Sequence, residues 1–112
     1  MTKDTQYDYE PELDILHVYS SEIQDGIKGC LSIGDFNIDV GTDNKIIGIE
    51  VEEASKNLRL KSDVLSSLDN ADIVIRKTRS MLFMGVGVTK GLINSSVQMS
   101  TPSNNLQIQT IN

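Results

Sequence analysis

Apolar and polar residues alternate with a period of two through much of the chain, and that period predicts strands. The clearest case is Phe36-Asn37-Ile38-Asp39-Val40. Gly41-Thr42-Asp43-Asn44 follows as a turn, because Asp and Asn tolerate left-handed backbone angles. Lys45–Glu52 then reads as a second strand, with Ile47, Ile49 and Val51 on one face and Ile46, Gly48 and Glu50 on the other. The two runs form a predicted β-hairpin. Upstream, Tyr7–Glu10 and Leu13–Ser20 read as strands joined by a tight turn at Pro11-Glu12, where proline cannot donate to a ladder. Ser21–Gly29 is a polar loop or weak edge strand, and Cys30–Ile33 is a short strand.

In the second half the pattern changes once. Ala54–Lys61 reads as a connection carrying Leu58 and Leu60. Ser62 is then a candidate helix N-cap, Asp63 suits the positive end of the helix dipole, and Val64, Leu65 and Leu68 make an apolar stripe. A helix of about two turns is unstable alone and must dock on a sheet. Strands return at Ala71–Lys77, Met81–Thr89 and, more weakly, Leu92–Ser100, with a turn at Lys90-Gly91. Leu106-Gln107-Ile108-Gln109 alternates again, as a last strand or a frayed end.

The pattern therefore predicts an α+β fold that is mainly antiparallel β. It is a meander-like sheet or small sandwich of six to eight short strands, with one short helix near residues 62–69. A chain of 112 residues suits a single domain over 1–112, with room for one core. With no Trp, three Tyr and two Phe, that core is aliphatic. Tyr7 is expected to pack its ring and bond its hydroxyl elsewhere, and Gly48 to mark a twist or to let an aromatic, Phe36 or Tyr19, lie over bare backbone.

Composition then removes function classes. Cys30 is the only cysteine and His17 the only histidine, which excludes a disulfide scaffold and a Cys-rich zinc module. No basic-then-apolar leader is visible, and the longest apolar run falls well short of the roughly 20 residues of a membrane-spanning helix. A soluble, cytoplasmic protein is the expectation. The net charge is −6, unevenly placed: residues 1–53 sum to −10 and residues 54–112 to +4. An acidic face of one copy could then meet a basic face of another copy or of a partner. Arg59, Lys61, Arg76, Lys77 and Arg79 are the best nucleic-acid candidates, but no aromatic lies among them in sequence, so nucleic acid is not the expected partner.

Asp8-x-Glu10-x-Glu12-x-Asp14 sets four carboxylates in seven residues, and Asp39 and Asp43 add two more. Packed carboxylates raise one another's pKa or recruit a hard cation. Asp8, Glu10, Glu12, Asp14, Asp39 and Asp43 are thus weak calcium or magnesium candidates, against the plainer reading of a solvated acidic turn. His17 shares a strand face with Leu13, Ile15 and Tyr19. It reads as a partly buried cross-strand packing residue, with a general base as the alternative. Cys30 reads as a small buried hydrophobe, and as a nucleophile only if its thiolate were stabilised. Gly85-Val86-Gly87-Val88-Thr89-Lys90-Gly91 fails both phosphate-loop templates and reads as strand glycines. No residue is assigned a catalytic role and no cofactor is expected.

Tyr7-Asp8-x-Glu10-x-Glu12-x-Asp14-x-Leu16-x-Val18, together with Asn37-Ile38-Asp39-Val40 and Gly48-Ile49-Glu50-Val51, resembles a prokaryotic family known as domain of unknown function 2283. The resemblance covers about residues 7 to 58. Two features depart from it: the spacing of acids and proline in Tyr9–Leu13, and a longer loop from Ser20 to Asp35. The resemblance implies a small β-rich prokaryotic protein, with an antitoxin-like or partner-binding role. The expectation is a non-catalytic protein-interaction module that binds itself, as a homodimer, or another small protein. The alternatives are a calcium or magnesium protein built on the acidic hairpin, and a small enzyme using His17.

Overall fold

The alternating stretches pair as antiparallel ladders in two sheets. The computed structural model describes residues 5–20, 27–42 and 45–103. The chain order is β1 (Thr5–Glu10), β2 (Ile15–Ser20), β3 (Ile27–Ile33), β4 (Phe36–Gly41), β5 (Ile46–Val51), α1 (Ala54–Leu58), α2 (Ser62–Leu65), β6 (Asn70–Lys77), β7 (Met81–Lys90) and β8 (Ile93–Pro102). A five-stranded sheet has the order β1-β2-β5-β4-β3, and a three-stranded sheet the order β6-β7-β8. The protein is mainly antiparallel β with two short helices. Expectations for Asp43 and for Leu106–Gln109 lie outside the described residues.

Within the first sheet the connectivity is not a simple meander. β3, β4 and β5 follow one another, but β2 pairs with β5, so the chain passes from β2 to the far edge before returning. Burial explains the order. β2 and β5 carry Leu16, Val18, Ile49 and Val51, all fully buried, and these strands take the middle. β3 is exposed over Ile27–Cys30 and takes an edge.

One core serves both sheets. Leu16, Val18, Ile38, Ile49 and Val51 of the first sheet share it with Leu82, Met84, Val86 and Val88 of the second and with Ala54, Leu58 and Leu65 of the helices. The edge strand β6 runs beside β1 and β2. Tyr7 ties the parts together, donating its hydroxyl to the Leu68 carbonyl at 3.1 Å as its place at the start of a hairpin suggested.

Several boundaries differ from the pattern. The first hairpin turns through four residues, Pro11–Asp14, because Glu10 pairs with Ile15. Leu13 therefore leaves the strand and is 67% exposed. β5 carries a bulge: Asp39 faces Gly48 but Val40 faces Ile46. The extra residue turns Ile46 into the core and leaves Ile47 half-buried, so Ile46, not Ile47, joins Ile49 and Val51 inside. β3 begins at Ile27 rather than Cys30, and β8 runs on to Pro102. The hairpins at Gly34-Asp35 and Gly91-Leu92 each set glycine first at positive φ, 58° and 60°.

The expected single helix over 62–69 is replaced by two shorter ones. α2 stops at Leu65, and α1 occupies the stretch read as a connection. α1 lacks any local start signal: Glu53 at its N-cap has φ 50° and makes no side-chain cap. Its cap comes from elsewhere. Asp14, itself at φ 55°, accepts from Ser55 N at 3.1 Å and from Ser55 Oγ at 2.7 Å, and its carbonyl accepts from Ala54 N. The carboxylate does for this helix what an N-cap side chain normally does.

Candidate functional site

The outer face of the five-stranded sheet gathers the chemistry-bearing side chains. Strand registers line them in two adjacent rows. Asp8, His17, Glu50, Asn37 and Ser32 lie side by side across all five strands. Gln6, Tyr19, Gly48, Asp39 and Cys30 form the neighbouring row.

Gly48 is the gap that lets the rows interact. His17 Nε2 and Asp39 Oδ2 meet 3.1 Å apart, although β5 separates their strands. A Cβ on Gly48 would stand 2.8 Å from Asp39 Oδ2 and 3.2 Å from His17 Nε2, so only bare backbone admits the pair. The His17 ring also packs on Tyr19, centroids 5.0 Å apart and tilted by 33°. The residue over Gly48 is thus an imidazole rather than Phe36, which is buried on the opposite face. His17 is the cross-strand packing residue its strand position suggested, with a side chain 32% exposed.

The carboxylates that surround this pair shape its neighbours. Desolvation first, then the charge and hydrogen bonding of Asp8, push the Tyr19 hydroxyl above its ordinary pKa. Cys30 is exposed rather than buried, because β3 is an edge strand and the residue lies on the outer face; desolvation again comes first, followed by Asp39 and then Glu50, and the thiol is pushed up. Asp39 therefore stands between His17 and Cys30. A thiol nucleophile needs a base beside it and a lowered pKa. Here a carboxylate adjoins the sulfur and holds it protonated. On the same face Asn37 Nδ2 donates to Glu50 Oε1 at 3.3 Å and to Glu52 Oε2 at 2.9 Å, and Ser32 Oγ donates to Asn37 Oδ1 at 2.7 Å.

The acidic candidates do not converge. Asp8 and Glu10 point outward from β1, and Glu12 is exposed in the turn. Asp14 faces the helices, its oxygens already taken by Ser55 and by the Tyr9 hydroxyl at 2.6 Å. Burial alone would raise the Asp14 pKa, but these three donors outweigh it and hold the carboxyl below its ordinary value. Tyr9 is pushed the other way, by burial first and then by Asp14. Asp39 lies three strands from Asp8, about 14 Å at ordinary strand spacing.

The basic candidates Arg59, Lys61, Arg76, Lys77 and Arg79 are all exposed. An aromatic does stand among them in space. Arg76 pairs in register with Phe83, and its guanidinium lies 4.1 Å from the ring centroid. Gly85 and Gly87 sit mid-strand in β7, as strand glycines. A Cβ on Gly85 would run into the Val97 carbonyl oxygen of β8.

An open cleft of about 390 Å³ lies where β1 meets the start of β6, lined by Gln6, Tyr7, Asp8, Tyr19 and Asn70 among others. His17 does not line it. Among the described residues no helix is long and apolar enough to cross a membrane. No family model matches this chain, and no match was found among curated proteins or solved structures.

Proposed function

We propose that this chain is a non-catalytic, cytoplasmic protein-interaction module that binds a basic surface of another small protein through the outer face of its five-stranded sheet. One observation carries the reading. Asp8 of β1, Glu10 of β1, Asp39 of β4, Glu50 of β5 and Glu52 just beyond β5 gather on that one face. A flat surface of one sign attracts a partner of the other sign and speeds their encounter. The ladder of His17, Asn37, Ser32 and Tyr19 supplies hydrogen-bonding groups that would orient it. The resemblance of residues 7 to 58 to domain of unknown function 2283 is consistent with this role, and an antitoxin is its narrower form.

The test is affinity capture from cell extract with the wild-type chain and with the triple variant Asp8→Asn, Glu10→Gln, Glu50→Gln. These changes keep size and remove charge. The reading expects basic proteins held by the wild type and released both by the variant and by raised salt, since exposed charges are screened. Equal capture by both chains, or none by the wild type, overturns it.

A further inference from the structure

Four strands end the two sheets, and three of them carry devices that block edge-to-edge pairing. β1 presents Asp8 and Glu10. β3 carries Lys28 within a register shift between Ile27 and Gly29. β6 carries Asp72, Arg76 and Lys77 and runs beside β1. The fourth, β8, has no charged residue and no register shift; α1 packs only near its start, where Ser95 Oγ donates to the Leu58 carbonyl. It is ten residues long, pairs with β7 in unbroken register from Ile93 to Pro102, and its only proline is the terminal residue. Residues 91–103 contain no Asp, Glu, Lys or Arg. Among the described residues, no backbone hydrogen bond covers its outer edge.

The side chains match the open edge. Val97 and Met99 point inward at the end of the core but are only partly buried, whereas their partners Val86 and Met84 on β7 are fully buried. At the start of the same strand Leu92 is 100% and Ile93 45% exposed.

We propose that β8 pairs antiparallel with β8 of a second copy of this chain, joining two three-stranded sheets into one of six. The strand is self-complementary about Val97. With the two-fold axis there, Val97 faces Val97 of the second copy and Ser95 faces Met99 on the inner side. On the outer side Ser96 faces Gln98. No charge meets a like charge in this register, and inner residues meet inner residues throughout. Such a contact is isologous and closes at a dimer. It is separate from the acidic face and does not rest on it.

Charge complementation tests the pairing and its register together. The full-length chain is compared by analytical ultracentrifugation with Ser96→Lys/Gln98→Lys and Ser96→Glu/Gln98→Glu. All four changes fall on exposed outward positions, and retained amide protection in β6 and β7 verifies the fold. The wild type is expected to reach twice 12.4 kDa as concentration rises. Each variant alone is expected to stay monomeric, because lysine faces lysine or glutamate faces glutamate, and an equimolar mixture to form a 1:1 heterodimer. A wild type that remains monomeric at millimolar concentration overturns the proposal. So does a lysine variant that still dimerises, or edge-amide protection in β8 that does not depend on concentration.

Discussion

Ser55 gives both its backbone N–H and its hydroxyl to the carboxylate of Asp14, across a separation of 41 residues. The contact fastens the turn of the first hairpin to the start of α1. Because Tyr9 also bonds Asp14 and stands 3.1 Å from Ser62 Oγ, one carboxylate organises the hairpin and both helices.

Removing that carboxylate should therefore cost more than an ordinary turn substitution. Asp14→Ala loses charge-assisted bonds and places a residue poorly suited to positive φ at 55°. A loss of about 2–3 kcal/mol is expected in urea melts. Asp14→Asn keeps the shape and tolerates the backbone, and should cost about 1 kcal/mol. Equal losses in the two variants would show that shape rather than charge matters there.

The same residue sets part of the acid limb of stability. Its folded pKa lies below the unfolded value, so the folded state holds its proton less tightly. The stabilisation is fully present above the unfolded pKa of about 3.9 and is lost as pH falls through the folded pKa. Asp14→Asn should flatten that part of the curve, leaving a smaller difference from wild type at pH 2 than at pH 6. Parallel curves across that range would contradict the assignment.

Two glycines should respond differently to alanine. At Gly48 the new methyl meets the ends of the Asp39 and His17 side chains, which can swing away. Gly48→Ala should cost about 1 kcal/mol and displace the His17–Asp39 pair, read as a changed His17 imidazole signal in NMR. At Gly85 the methyl meets the backbone of Val97 and Gln98, which cannot yield without distorting the ladder. Gly85→Ala should cost about 3 kcal/mol or more, and comparable stability of the two variants would refute the distinction.

Cys30 should be a slow thiol despite its exposure. Desolvation, Asp39 and Glu50 all favour its protonated form. Alkylation near pH 8 should run slower than that of a free cysteine in an unfolded peptide, and Asp39→Asn should speed it. An unchanged rate in Asp39→Asn would remove Asp39 as the cause.

Tyr7 and Tyr9 offer a graded pair. Tyr7→Phe removes one neutral bond, to the Leu68 carbonyl, and should cost about 1 kcal/mol. Tyr9→Phe takes a donor from the ionised Asp14 and should cost about 2 kcal/mol. The reverse order in denaturant melts would place the stronger bond at Tyr7.

Period-two alternation and turn chemistry are legible in the chain alone. The Phe36–Val40 strand and, to within one residue, the turn at Lys90-Gly91 read directly from the chain, because neighbouring residues alone decide them. Gly48 within a strand also stood out in the chain, as a twist or as bare backbone with a ring over it. What covers that glycine depends on strand order, since His17 and Asp39 meet only once β5 lies between β2 and β4. The bulge that turns Ile46 inward, the Phe83 ring beneath Arg76 and the helix over Ala54–Leu58 have the same origin. Each depends on a partner distant in the chain. The helix is the plainest case: its cap is a carboxylate from the first hairpin, and no local pattern around Glu53 announces it.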